Sequence, residues 1–218
     1  MEFQEFLRKQ EEVYSRFRDT SKIMAEGTKP SLPAKPQGGY LIVFRHSIEI
    51  SQEVERFSRR ISQAAPAIVY DAATVHTTIS DFGIKESFIP EADTLAKLCN
   101  SVRNVVMNRP TISYGEWLFN QNTVLVAGMP NQAFLEVVQN VHSSAERNGV
   151  QLRMPWGAHI TANRFTQTKN PTELSDFFKL MKEAPKLGES EPEFIDVGYF
   201  EFNMERFLFN IYERFSLK

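Results

Sequence analysis

The sequence predicts an α+β fold of two pseudo-symmetric lobes, with antiparallel sheets around a central cleft and helices outside. Three observations predict it. The segment His76-Thr77-Thr78-Ile79-Ser80-Asp81-Phe82 recurs as His159-Ile160-Thr161-Ala162-Asn163-Arg164-Phe165, and both read His-x-Thr-x-x-x-Phe. Each copy closes a strand, helix, strand order, the first over residues 40 to 80 and the second over 124 to 165. The connections read as hairpins rather than crossovers, which argues against a doubly wound parallel sheet. Beyond the motif the two segments share no identity, so the repeat is one of order and spacing.

The chain divides into residues 1–37, an amphipathic helix and a Pro-rich linker, and residues 38–218, the bilobal domain. Up to about residue 26, Phe3, Phe6, Leu7, Gln10, Val13, Tyr14 and Phe17 form a near-helical apolar stripe, with Glu, Lys and Arg opposite. Gly27 is a C-cap, and Pro30, Pro33 and Pro36 extend the linker to Gly38-Gly39. Tyr40 to Phe44 is an apolar strand. Ile50 to Ala65 is a helix with Val54, Phe57 and Ile61 inward, and Ile68 to Ser80 is a strand carrying the first motif. Ala92 to Met107 is a helix with Leu95, Leu98, Val102 and Val105 inward. Thr111 to Phe119 and Val124 to Met129 pair across the turn Asn120-Gln121-Asn122. Asn131 to Asn148 is a helix ended by Gly149, and Trp156 to Phe165 is the second motif strand. Asn170-Pro171 opens a helix to Ala184, and Phe194 to Phe202 with Arg206 to Phe215 forms an antiparallel pair.

Composition narrows the function classes. A net charge of −2 over 218 residues supplies no general drive onto long nucleic acid or an anionic membrane. A small phosphorylated ligand or a nucleic-acid end needs only a local basic patch. The single cysteine, Cys99, excludes an internal disulfide and sits among Leu95, Leu98 and Val102, where packing is its role. No signal-peptide pattern and no membrane-length apolar run is present, so a soluble, cytoplasmic, monomeric protein is expected.

The motif pair carries the chemistry. On a strand, residues two apart share a face. His76 and Thr78 then stand together with Phe82, and His159 and Thr161 stand together with Phe165, while Trp156, Ala158, Ile160 and Ala162 turn to the apolar side. Two imidazoles in one cleft can divide acid and base work near neutral pH. The threonine hydroxyls can hold the non-bridging oxygens of a phosphate in the transition state. Arg164 is the nearest cation, although strict alternation turns it away unless the strand bulges. His142-Ser143-Ser144 mimics the motif, but Phe134, Val137, Val138 and Val141 place it on a helix. No His-x-x-x-His, paired Cys or acidic cluster suggests a metal, and alternation turns Asp71 and Asp81 away from the histidines. No metal or other cofactor is expected.

At these residues the chain resembles the 2H phosphoesterase superfamily, which includes 2′-5′ RNA ligase-like proteins and cyclic phosphodiesterases. The motifs are His76-Thr77-Thr78-Ile79 and His159-Ile160-Thr161-Ala162, and Arg164 matches a position where many ligase-like members carry Arg. Thr77 is polar where an apolar residue is common, and Ala162 is small where Leu is usual. The resemblance spans about residues 40 to 215 in element order. It implies metal-independent cleavage of 2′,3′-cyclic phosphates or 2′-5′ linkages in nucleotides, short oligonucleotides or RNA ends. His76 and His159 would be general acid and base, Thr78 and Thr161 would hold the phosphate, and Arg164, Phe82 and Phe165 would bind substrate. A nucleotide-binding module without turnover and a 2′-5′ RNA ligase are the alternatives.

Overall fold

The computed structural model describes residues 1–30, 32–103, 105 and 108–217. Two N-terminal helices, α1 (Phe3–Arg18) and α2 (Ser21–Glu26), replace the single helix expected there. Asp19 breaks it: its backbone is extended and its carboxylate accepts the Ser21 amide, a local bond that competes with the helix. Gly27 closes α2 at φ +77°, where an added Cβ would strike the Lys169 carbonyl at 1.7 Å. The linker is then tied down, with Thr28 bonded to the Gln167 and Lys169 carbonyls and the Lys29 amide to that of Gln121.

Next come β1 (Gln37–Arg45), α3 (Ile48–Ala64), β2 (Ala67–Val69), β3 (Thr77–Glu86) and α4 (Ala92–Arg103). The long strand expected over residues 68 to 80 is thus two strands. Asp71 interrupts it, because its side chain and carbonyl together accept the Thr74 amide, the Thr74 hydroxyl and the Val75 amide. His76 therefore stands on a turn at the mouth of β3 rather than within a strand. The expected end of the fourth helix, Met107, lies outside the described residues. Cys99 is buried in α4, and burial pushes its thiol up to about 12, consistent with a packing role.

The second half runs β4 (Ile112–Phe119), β5 (Thr123–Pro130), α5 (Gln132–Arg147) and β6 (His159–Phe165). Asn120 closes the β4–β5 turn and Asn131 caps α5. A single 3₁₀ turn (Pro171–Leu174), opened by a capping box of Asn170 and Glu173, leads into α6 (Ser175–Lys182). The unanticipated β7 (Gly188–Ser190) precedes β8 (Phe194–Phe202) and β9 (Phe207–Ser216).

The nine strands among the described residues form one sheet in the order β7-β4-β5-β6-β3-β1-β8-β9, with β2 against β6 and every pair antiparallel. Reading outward from its centre, β6-β5-β4 mirrors β3-β1-β8, and α5 links β5 to β6 as α3 leads from β1 towards β3. The expected α+β duplication is present, but the two lobes share one sheet. They join where Thr77 of β3 pairs with Ile160 of β6. One face of the sheet packs on α3, α4 and α5 through residues such as Ile79, Ile160, Phe57, Leu98 and Val138. The opposite face holds the motif residues. α1 is the exception to helices outside: Tyr14 and Phe17 pack on Leu125 and Ala127, the β5 partners of Thr161 and His159. No helix of the described residues is long and apolar enough to cross a membrane.

Candidate active site

His76 and Thr78 flank Thr77, and His159 and Thr161 flank Ile160, so both motifs meet at the one β3–β6 pair. All four side chains line a single cleft of about 580 Å³. The two imidazoles are held alike. Each Nδ1 lies against the carbonyl two residues earlier, Thr74 at 2.6 Å for His76 and Gly157 at 3.3 Å for His159. A carbonyl only accepts, so each Nδ1 carries the proton and Nε2 is the atom left for proton transfer. Burial lowers His76 to about 4, opposed by the Thr74 carbonyl. Burial likewise lowers His159 to about 3, opposed by the Gly157 carbonyl and aided by the charges of His76 and Arg164. Both are neutral at pH 7 without a ligand, and an anion between them would favour protonation.

Neither the Thr78 nor the Thr161 hydroxyl has a hydrogen-bond partner among the described residues. Arg164 also lines the cleft, with Nε donating to the Tyr70 hydroxyl at 3.1 Å and its guanidinium 5.3 Å from the Phe202 ring centre. No carboxylate among the described residues pairs with it. A largely desolvated guanidinium without a counter-charge is a site for an anion.

Two bulges explain which residues reach the cleft. On β3, Ser80 pairs with Ile42 but Thr78 pairs with Val43, leaving Ile79 as an extra residue. On β6, Asn163 pairs with Val124 but Thr161 pairs with Leu125, leaving Ala162 extra. In both motifs the bulge sits three residues past the histidine, and it swaps the faces of the residues that directly follow it. Asp81 and Arg164 therefore turn into the cleft, contrary to simple alternation. Phe82 and Phe165 turn out of it, so the expectation that they bind substrate is corrected. Phe82 stacks on Tyr40 with centroids 6.0 Å apart, and Phe165, 1% exposed, packs edge-on to Phe177 at 5.5 Å.

Sequence reasoning also missed several walls of the cleft. Trp156, expected on the apolar side, precedes β6 in a bend, so strand parity does not apply to it. Its ring lies parallel to the His159 imidazole, 3.9 Å between centroids and 18° between planes. Tyr14 and Phe17 of α1 pack on the Trp156 ring itself at 5.8 and 6.4 Å, and Gln10 accepts the Ala158 amide. On the first-motif side, Phe207 stacks on His76 at 5.8 Å, and Phe200, Phe202 and Tyr70 continue that wall. The C-terminal hairpin signals were readable, but nothing in them said that its aromatics would face a histidine 131 residues earlier.

The turn that presents His76 is clamped from β1. Arg45 donates to the Val75 and Ala73 carbonyls at 2.9 and 2.7 Å and lies 3.4 Å from the fully buried Asp196 carboxylate of β8. Arg214 of β9 holds the same carboxylate in a bidentate pair at 2.7 and 2.8 Å. Burial raises the Asp81 carboxyl, while Arg153, 3.3 Å away, opposes the rise. Among the described residues, no three His, Cys, Asp or Glu side chains converge as metal ligands.

No family model matches the sequence, and no curated protein matches it either. Solved structures do resemble it. A crystal structure of E. coli LigT complexed with 3′-AMP aligns with 17% identity and a TM-score of 0.58, over 84% of this chain and 99% of that one. A crystal structure described as a phosphoesterase aligns with 17% identity and a TM-score of 0.59 over the same shares. TT0787 of Thermus thermophilus aligns with 13% identity and a TM-score of 0.57, over 82% of this chain and 97% of that one. At such identities the likeness speaks for architecture alone, and in architecture this chain shares the fold of E. coli LigT.

Proposed function

We propose that this chain is a 2H-type phosphodiesterase that cleaves 2′,3′-cyclic phosphates or 2′-5′ linkages in nucleotides or short oligonucleotides without a metal. One observation carries the reading: two imidazoles of the same tautomer line one cleft beside two unpaired hydroxyls and a guanidinium that has no carboxylate. In the proposed hydrolysis, one Nε2 takes a proton from water as the water oxygen bonds to phosphorus. The other imidazole, protonated at Nε2, gives its proton to the ribose oxygen as the P–O bond breaks. Thr78, Thr161 and Arg164 hold the non-bridging oxygens, whose charge peaks in the transition state. The bound anion is what recharges an imidazole that burial alone keeps neutral. The two motifs are equivalent in geometry, so either histidine can open the cycle. The 3′-AMP complex of LigT supports a nucleotide as the ligand class here.

The test is turnover of 2′,3′-cyclic nucleotides, 3′,5′-cyclic nucleotides and 2′-5′ oligoadenylates in EDTA, with His76→Ala and His159→Ala alongside. Turnover that survives EDTA and is lost in both variants is the expected result. Turnover that EDTA removes would overturn the mechanism. Binding without turnover would replace the enzyme by a nucleotide-binding module.

A further inference from the structure

The middle residue of the first motif carries a hydroxyl that the proposed chemistry does not use. Thr77 is fully buried on the far side of the sheet from the cleft. Its Oγ1 lies 2.6 Å from the Tyr114 hydroxyl, 3.1 Å from His46 Nε2 and 3.1 Å from the main-chain carbonyl of His159. His46 Nδ1 is 2.8 Å from the Ser190 hydroxyl. One assignment of protons satisfies every contact. The His159 carbonyl can only accept, so Thr77 donates to it. Thr77 must then accept from both Tyr114 and His46, which puts the His46 proton on Nε2 and makes Nδ1 the acceptor for Ser190. Burial lowers His46 to about 3, so the ring is neutral and this arrangement holds near neutral pH.

The location gives the network its meaning. β3 and β6 pair only at Thr77 and Ile160, yet the two histidines that must face one phosphate stand on either side of that point. Tyr114 comes from β4, Ser190 from β7 and His46 from the end of β1, so strands from both halves converge on a single oxygen. That oxygen in turn grips the carbonyl of the opposite catalytic candidate.

We infer that Thr77 is a positioning residue, whose hydroxyl, anchored by Tyr114 and His46, fixes His159 relative to His76 across the junction of the lobes. The inference rests on the phosphodiesterase reading for its kinetic consequence, but not for its structural one. Thr77→Val keeps the shape and removes the grip. It should lower kcat by about 10- to 100-fold with KM nearly unchanged, as a misplacement of about 1 Å does. Thr77→Ser should restore kcat to within about threefold, since it restores the donor. Tyr114→Phe removes one of the two anchors but keeps the Thr77–His159 bond, so it should lower the melting temperature and reduce kcat less than Thr77→Val does. Imidazole NMR supplies a readout that needs no turnover: Thr77→Val should move the His159 ring resonances and titration, and Thr77→Ser should not. Wild-type kcat in folded Thr77→Val, with unmoved His159 resonances, would overturn the inference. A wild type that turns over nothing would sink the phosphodiesterase reading, and the NMR comparison would then decide the positioning role alone.

Discussion

Acidification from about pH 7.5 to about pH 5.5 should weaken this fold well before its carboxylates titrate, because its histidines are buried neutral. Burial lowers His46 to about 3, His76 to about 4 and His159 to about 3. In the unfolded chain each returns to about 6.5. Between those values the unfolded state binds more protons than the folded one, so stability falls as pH falls. Their contribution is complete above about pH 6.5, declines below it, and levels off near the folded values. At about pH 5.5 each group costs ~1.4 kcal/mol, and the three together cost ~4 kcal/mol of a typical 5–15. For a chain of this length that lowers the melting temperature by roughly 10 °C. His142, also lowered by burial, acts in the same direction. Carboxylates held low by partners, such as Glu55 and Glu213, respond only below their ordinary range and leave this window clear. The assay is thermal unfolding by circular dichroism at the two pH values, with imidazole NMR to assign the titrations. His46→Gln, which can still accept from Ser190 and donate to Thr77, should remove about a third of the slope. A nucleotide or inorganic phosphate in the cleft should stabilise more at the lower pH, because it recharges His76 and His159. A melting temperature that does not change between the two values, or histidines that titrate near 6.5 in the folded protein, would refute the reasoning.

Two further substitutions test the electrostatic frame of the site. Arg164→Met should weaken binding of a phosphorylated nucleotide by about 10-fold or more, while thermal stability holds or rises, since a desolvated charge without a counter-ion is removed; titration calorimetry and melting curves read both. Asp196→Asn should cost ~3 kcal/mol in denaturant unfolding, because it strips the counter-charge from Arg45 and Arg214, and kcat should fall with it as the turn before His76 loosens; equal stability in wild type and variant would show that the clamp carries no energy.

The repeat was legible because its signal is local. A His-x-Thr pair at the same place in two strand-helix-strand segments needs no tertiary knowledge to see, and hairpin turns such as Asn120-Gln121-Asn122 announce antiparallel neighbours. Errors arose where side chains competed with the backbone. Asp19 split one predicted helix and Asp71 one predicted strand, each by accepting nearby amides. Alternation then failed beyond Ile79 and Ala162, since a bulge is set by partner-strand register, which no single strand records. That one effect moved Asp81 and Arg164 into the cleft and Phe82 and Phe165 into the core.

The sequence by itself determined the α+β class, the order of the longer elements, the duplication and the four motif residues, because periodicity and residue chemistry are properties of a segment. Only the tertiary structure decided what surrounds them. Trp156 on His159, Phe207 on His76, the Asp196 clamp and the Thr77 network all join residues far apart in the chain. Such contacts follow from where a nine-stranded sheet places its strands, and that placement minimises free energy over the whole fold rather than within any stretch of it.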